Sequence, residues 1–341
     1  MTTINLNQKP QKDLSIPKYH RRVMVFDTET TGLMPKHKFG TPFPPMEDYP
    51  HIMQISWIVY NVSSNSIEDV VDEYVQIPDS APISPESTKV NGITREMTKE
   101  KGKQITPLLL KFFAAYMKCD CIVAHNLRFD GEMVRKEMWR NRKELEKFVN
   151  KDRVNLMCGV FTAKYNAAYY IDTFCTMMNT IQFCGIDWVP KPKENESLTT
   201  TTEPTEPKDG LPTTEPIKPT ESIESTGTKE NLGEIWSIPV LTTRGSREGN
   251  PNESLRQNVD SLLNPILEEA SDSIPQKPNN RKKFPRLDEL YGKLFDTPLP
   301  KEMHNSIVDV LVCLRCFLKV RGAKEMSEED FLGLVKIHTN S

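Results

Sequence analysis

The chain has 341 residues, enough for one large domain or two ordinary ones, but 26 prolines and a hydrophobic fraction of 37% imply that part of it stays outside any core. No window of about 18 apolar residues occurs, and residues 1–18 are polar, without the apolar segment of a secretory signal. An intracellular protein of cytoplasm or nucleus is therefore expected, neither secreted nor membrane-spanning. The net charge of -3 is uneven: residues 190–280 carry 9 Lys and Arg against 16 Asp and Glu, a balance of -7 that leaves +4 for the rest. The remainder is mildly basic, which suits a polyanionic partner without requiring one. Seven cysteines, close together only at Cys119/Cys121 and Cys313/Cys316, exclude a paired disulfide framework and predict reduced thiols. Cys313 and Cys316 fall in an apolar helical pattern with no second Cys or His pair nearby, so they read as core rather than as zinc ligands.

In chain order, residues 23–27 read as a first strand and residues 52–62 as a second, rich in β-branched and aromatic side chains. A polar turn at Ser63, Ser64, Asn65 and Ser66 leads to a third strand near residues 69–77, giving an antiparallel meander. Thr106 and Pro107 open a helix whose apolar face is Leu108, Leu109, Phe112, Phe113 and Tyr116. Residues 121–124 form a short buried strand, followed by a helix over residues 127–142. The spacing predicts a last strand at residues 169–172 and a helix from residue 173 to 180. Residues 190–280 hold 12 of the 26 prolines, and Thr, Glu, Pro, Ser and Lys dominate residues 199–228, a composition expected to be a disordered insertion. Two less polar islands, residues 235–241 and 255–267, fit either a partner-docking motif or a segment that packs on its own domain. Arg281, Lys282 and Lys283 fit a fragment of a nuclear import signal or a solvated domain edge. Helices resume at residues 286–294 and 304–320, and Ser327, Glu328, Glu329 and Asp330 begin a final one. The expected fold is α/β, a mixed sheet flanked by helices and closed after the insertion. Its divisions are a flexible N-terminus (1–18), a first part (19–189), the insertion (190–280) and a second part (281–341).

The chemistry gathers at three places. Asp27 and Glu29 end the first strand two residues apart, so they share a face and repel one another unless a bound cation neutralises them. Asp130 lies about one turn into the helix that follows a buried strand, near the strand's C-terminal end, where open sheets place ligands. His304 and Asp309 are five residues apart, about 140° around a regular helix, so His304 belongs on the loop before the helix and Asp309 in its first turn. Asn305 or Ser306 would cap that helix. Hard carboxylate oxygens suit Mg²⁺ or Mn²⁺, two such ions can bind both the attacking and the leaving oxygen of a phosphodiester, and a histidine can accept the proton of attacking water.

The blocks Asp27-Thr28-Glu29-Thr30-Thr31-Gly32, His125-Asn126-Leu127-Arg128-Phe129-Asp130 and His304 to Asp309 resemble motifs one, two and three of the DEDDh 3'→5' exonucleases. That family includes the proofreading subunit of bacterial replicative DNA polymerase, ribonuclease T and the three-prime repair exonucleases. Val90-Asn91-Gly92-Ile93-Thr94 and Leu287-Asp288-Glu289-Leu290-Tyr291 are further matches. Where the tyrosine group of relatives carries its tyrosine, four residues before the last Asp, this chain has Asn305, so the histidine version fits.

The resemblance implies a ribonuclease H-like mixed sheet of five strands and hydrolysis at the 3' end of a single strand, DNA in the first instance, with release of nucleoside monophosphates. By position, Asp27, Glu29, Asp130 and Asp309 would hold two Mg²⁺ or Mn²⁺ ions and His304 would be the general base. Thr28 and Thr31 would sit beside the terminal nucleotide, Leu33 would be an apolar wedge between the last bases, and His125, Asn126 and Phe129 would shape the second side of the cleft. Trimming of RNA 3' ends is the close alternative. A non-catalytic adaptor that binds nucleic-acid ends is the alternative of another class. Proofreading would require a polymerase or other protein, recruited through the insertion. Three departures from the compact members stand out: the proline-rich connection at residues 34–50, the insertion, and the added charged residues at 132–165. Arg135, Lys136, Arg140, Arg142 and Lys143 among these fit a solvated helix face or a nucleic-acid track. The acidic tract and residues 49–56 are also similar to exonucleases encoded by large DNA viruses, which leaves a viral origin open.

Overall fold

The computed structural model describes residues 16–17, 20–38, 40–188, 282–300 and 303–339. The insertion with its two apolar islands, Arg281, and all of the N-terminal segment but Ile16 and Pro17 lie outside the described residues. Ile16 packs against the core, and its amide donates to the Arg321 carbonyl at 3.1 Å.

Five strands form one sheet: β1 (Arg22–Thr30), β2 (Ile52–Asn61), β3 (Ser66–Tyr74), β4 (Cys121–Ala124) and β5 (Asp172–Cys175). Their order is β3-β2-β1-β4-β5, with β1, β2 and β3 antiparallel and β4 and β5 parallel to β1. The mixed five-stranded sheet is the one expected. Between β3 and β4 come α1 (Pro85–Asn91), α2 (Arg95–Glu100) and α3 (Ile105–Lys118). Between β4 and β5 come α4 (Leu127–Arg140), α5 (Arg142–Leu145), α6 (Lys151–Gly159) and α7 (Ala163–Tyr169). After β5 follow α8 (Thr176–Asn179), α9 (Ile181–Cys184), α10 (Leu287–Leu294), α11 (Ser306–Val320) and α12 (Glu328–Thr339).

Helices cover both faces of the sheet, which is why the centre of β1 is apolar without alternation. Met24 and Phe26 pack with α3 and α4 on one face, while Val23 and Val25 pack with α11 on the other. α11 is apolar nearly all round, because it is enclosed by β1, β2, α10 and α12. Cys313 and Cys316 are buried within it, and all seven cysteines are free thiols. No helix among the described residues is long and apolar enough to cross a membrane.

Several boundaries differ from expectation, with β1 running to Thr30 and α4 ending at Arg140 among them. β3 begins at Ser66 rather than near residue 69, and β5 spans Asp172–Cys175 instead of residues 169–172. The aromatic run Tyr169-Tyr170-Ile171 is β-prone in isolation, but Tyr169 ends α7 and Tyr170 closes it with φ 53 in the left-handed region. The two parts of the chain meet beside β5. Asp187 and Lys282 form an antiparallel bridge, their side chains pair at 2.6 Å, and the Lys283 amide donates to the Ile186 carbonyl at 2.8 Å.

Candidate active site

Alternation along β1 sets the first two carboxylates. Val23 and Val25 face α11, so Asp27 and Glu29 continue that face past the apolar stretch. The antiparallel register puts Asp27 opposite Ser56 and Glu29 opposite Gln54. α11 crosses the same face, with Asp309 in its first turn. One carboxylate oxygen from each of Asp27, Glu29 and Asp309 lies within 4.8 Å of the others. The Ser306 hydroxyl fastens this end of α11 to β1 by donating to the Asp27 carbonyl at 3.1 Å. Asn305 is the N-cap, its Oδ1 accepting from the Ile307 amide at 3.4 Å. His304 stands on the turn before it, exposed and with φ 70, and its amide donates to Asp309 Oδ1 at 3.4 Å.

Asp130 approaches from the other side of β1. Thr28 points away from Asp27, and its hydroxyl donates to Asp130 Oδ1 at 2.8 Å. Asp130 is 3% exposed and lies outside the group of three, joined to it through Thr28 and through the charge of Asp27. β4 runs parallel to β1 with Val25 beside Val123, which sets the end of β4 and the start of α4 next to Asp27. Three of the four expected carboxylates are thus mutually adjacent, and the fourth is one hydrogen-bonded side chain away.

Burial and crowding make these carboxyl groups hard to ionise. Loss of hydration, followed by the charges of Asp27 and Asp309, pushes Glu29 up to about 9. Burial pushes Asp27 up to about 6. Asp130 and Asp309 are also raised, first by burial and then by the charge of Asp27. Among the described residues no Lys or Arg pairs with any of them. A compact set of hard oxygen donors without a cationic partner fits a divalent metal ion.

Asn91, at the end of α1, donates to Glu29 Oε2 at 3.2 Å, and Gly92 closes the helix with φ 71. The sequence marks Asn91 as part of a further match and Ser306 as a cap candidate, but neither their bonds to Glu29 and Asp27 nor a role for Gln54 is legible there. Thr31 is buried and tied to His51, accepting from its amide at 3.0 Å and donating its own amide to the His51 carbonyl at 2.9 Å. Leu33 is 86% exposed just beyond β1. Asn126 is exposed at the start of α4, and Phe129 is half-buried against the α3 side of the core.

Both nitrogens of His125 have protein partners, Thr176 Oγ1 at 2.9 Å and the Pro285 carbonyl at 3.0 Å. A carbonyl only accepts, so Nε2 carries the proton and Nδ1 accepts from Thr176. Burial lowers this imidazole to about 4, so it is neutral and links motif two to the second part of the chain.

Four of the basic residues after Glu132, Arg135, Lys136, Arg140 and Arg142, are engaged with their own fold. Arg135 and Lys136 pair with Glu132 at 2.8 and 3.3 Å. Arg142 pairs with Glu146 at 3.4 Å and bonds Asn155. Arg140 pairs with buried Glu137 and donates to the carbonyl of Tyr49 at 2.9 Å, anchoring the connection before β2.

Residues 24–185 match the Exonuclease family model, RNase_T. No curated protein matches the chain. Among solved structures it is similar to the zinc-bound complex of E. coli exonuclease I with single-stranded DNA, at 18% identity over 50% of this chain and 32% of that one, TM-score 0.36. E. coli exonuclease I in complex with a dA16 oligonucleotide matches at 17% identity over 53% and 34%, TM-score 0.35. A product-bound exonuclease I matches at 19% over 51% and 35%, TM-score 0.36. The chain spans about a third of the length of these structures.

Proposed function

For a chain whose residues 24–185 match the Exonuclease family model, we infer a metal-dependent 3'→5' exonuclease that hydrolyses the terminal phosphodiester of a single strand, DNA first. The observation that carries this reading is the meeting of Asp27, Glu29 and Asp309 from two distant segments, with no Lys or Arg among the described residues paired with them. Asp27, Glu29 and Asp309, with Asp130 beside them, would hold one or two Mg²⁺ or Mn²⁺ ions, whose charge acidifies the attacking water and offsets the charge building on the phosphate.

His304 would take a proton from the attacking water as its oxygen bonds to phosphorus, and the bond to the 3' oxygen of the preceding nucleotide would break, that oxygen leaving with a proton from solvent. It stands exposed on the turn just ahead of α11. Thr28 keeps Asp130 oriented. Exposed Leu33 gives the last base an apolar surface to rest on. Asn126 and Phe129 flank Asp130 and line the far side, while His125 holds the α4 entrance in place through Thr176 and Pro285.

Oligomers of DNA and of RNA, labelled at the 5' end and incubated with Mg²⁺, test the substrate. Stepwise shortening of DNA supports the reading, and a ladder from RNA alone would replace it with RNA 3'-end trimming. No shortening of either by wild type under Mg²⁺ or Mn²⁺, with equal binding by Asp27→Ala, would leave an end-binding adaptor.

A further inference from the structure

We propose that Gln54 and Asp72 are positioning residues for the turn that carries His304, an inference that rests on the exonuclease reading and extends it to residues outside its three motifs. The sheet register aligns Asp27, Ser56 and Asp72 across β1, β2 and β3, and Glu29 and Gln54 in the adjacent row. Residues opposite one another in antiparallel strands share a face, so Gln54, Ser56 and Asp72 lie on the side where Asp27 and Glu29 meet α11. Gln54 is 2% exposed and Ser56 0%. Two polar side chains sealed there must be bonded within the protein.

Their bonds form a directed chain. The Ser56 hydroxyl donates to Asp72 Oδ1 at 2.7 Å, and Gln54 Nε2 donates to the same oxygen at 2.8 Å. An ionised carboxylate only accepts, so Asp72 fixes which end of the Gln54 amide faces it. The second N–H of that nitrogen is then aimed at Asn305 Oδ1, 3.4 Å away. That oxygen also caps α11 by accepting from the Ile307 amide at 3.4 Å. Asn305 directly follows His304, whose φ of 70 is costly for a residue with a side chain and needs support from its surroundings. Gln54 supplies that support from β2, the strand whose neighbour β1 carries Asp27 and Glu29. The brace therefore fixes the base and Asp309 relative to the other two carboxylates. With a wrongly oriented or absent amide, the acceptor of Asn305 loses this partner and the turn is free to shift.

Three variants test this: Gln54→Leu, which keeps bulk and removes the donor; Asp72→Ala, which removes the acceptor; and Asp72→Asn, which keeps one acceptor oxygen. On a short DNA oligomer with Mg²⁺, kcat should fall about tenfold in Q54L and D72A, with KM within about twofold and D72N restoring most of the loss. Thermal unfolding identifies any variant that fails to fold. Amide hydrogen exchange over residues 304–309 reads the brace without reference to activity, and it should accelerate in Q54L relative to wild type. Unchanged exchange in Q54L, or unchanged kcat in a folded Q54L, or D72N as impaired as D72A, would overturn the proposal. An inactive wild type would instead refute the exonuclease reading, and the exchange comparison would still decide whether the brace exists.

Discussion

A carboxyl group that loses water without gaining a cation is easier to protonate, and the cluster around Glu29 has this property. Its folded pKa of about 9 lies above the ordinary 4.5, so the native state binds the proton more tightly than the unfolded state. The associated stability is full below about pH 4.5 and is lost as pH rises towards 9. A divalent ion favours the ionised form and reverses the loss. The gain in Tm on adding Mg²⁺ or Mn²⁺ should therefore be larger at pH 8 than at pH 5.5, and Glu29→Gln should raise the metal-free Tm at pH 8 while shrinking the metal response. Equal gains at both pH values would contradict this account of the site. His304 behaves differently, since it stands outside the carboxylate cluster. His304→Ala should lower kcat by roughly 10²- to 10⁴-fold, the range for a lost general base, while leaving the metal-induced Tm shift intact. Loss of that shift together with activity would make His304 part of the metal site instead.

At the scale of elements, motif two is held against β1 by a wedge. Phe161 stands in the left-handed region with φ 65, its amide donating to the Tyr116 hydroxyl at 3.1 Å, and its ring lies 5.4 Å from that of Phe26 and 5.0 Å from that of Tyr116. The same ring lies against Gly131, where an added Cβ would be 3.1 Å from two ring carbons. Phe26 adjoins Asp27 and Gly131 adjoins Asp130, so the wedge sets the spacing between two carboxylates. With Phe112 and Tyr116 also against it, the ring has little room to yield. Gly131→Ala should destabilise by about 1–3 kcal/mol in urea unfolding and reduce activity, whereas an unchanged midpoint would show that the ring moves aside.

None of this was legible in the sequence, because a glycine inside a helix marks a close approach without naming the neighbour. What periodicity could read, it read well: the meander, the short β4, the turn before α11 and the first-turn place of Asp309 follow from local pattern. Propensity alone favours a strand at Tyr169-Tyr170-Ile171, but tertiary packing ends α7 there and shifts β5 to Asp172–Cys175. The Arg140–Glu137 anchor was hidden for a similar reason: the same charges on a helix serve equally for a solvated face, and only the neighbouring loop makes them internal.

For the whole molecule, the two parts share the core on the α11 face of the sheet, while the core on the α3 and α4 face comes from the first part alone. Val23, Val25, Cys121 and Phe174 from the first pack with Leu290, Ile307, Leu311 and Phe317 from the second. Motif three is therefore carried by a helix that the sheet needs for its own burial, which explains how a histidine and a carboxylate so far along the chain return to β1. The order of the three blocks in sequence foretold this return, but the shared core depends on contacts that no local pattern states. The bridge between Asp187 and Lys282 brings the ends of the intervening segment together. Replacing residues 189–281 with a short Gly/Ser linker should thus preserve cooperative unfolding and keep kcat on a DNA oligomer within a few fold of the full chain, because a closed loop costs little more when long than when short. Loss of cooperative unfolding would mean that the segment contributes to the core.

Hydrolysis from the 3' end at a carboxylate-bound metal is the activity proposed for this chain. Mass spectrometry of the products released from a 5'-labelled single-stranded DNA by the full chain in Mg²⁺ tests it most directly. Nucleoside 5'-monophosphates released one at a time from the 3' end, abolished by Asp27→Asn and by chelation and restored by added Mg²⁺, are the predicted result. Nucleoside 3'-monophosphates, internal cleavage, or equal release by Asp27→Asn would contradict it.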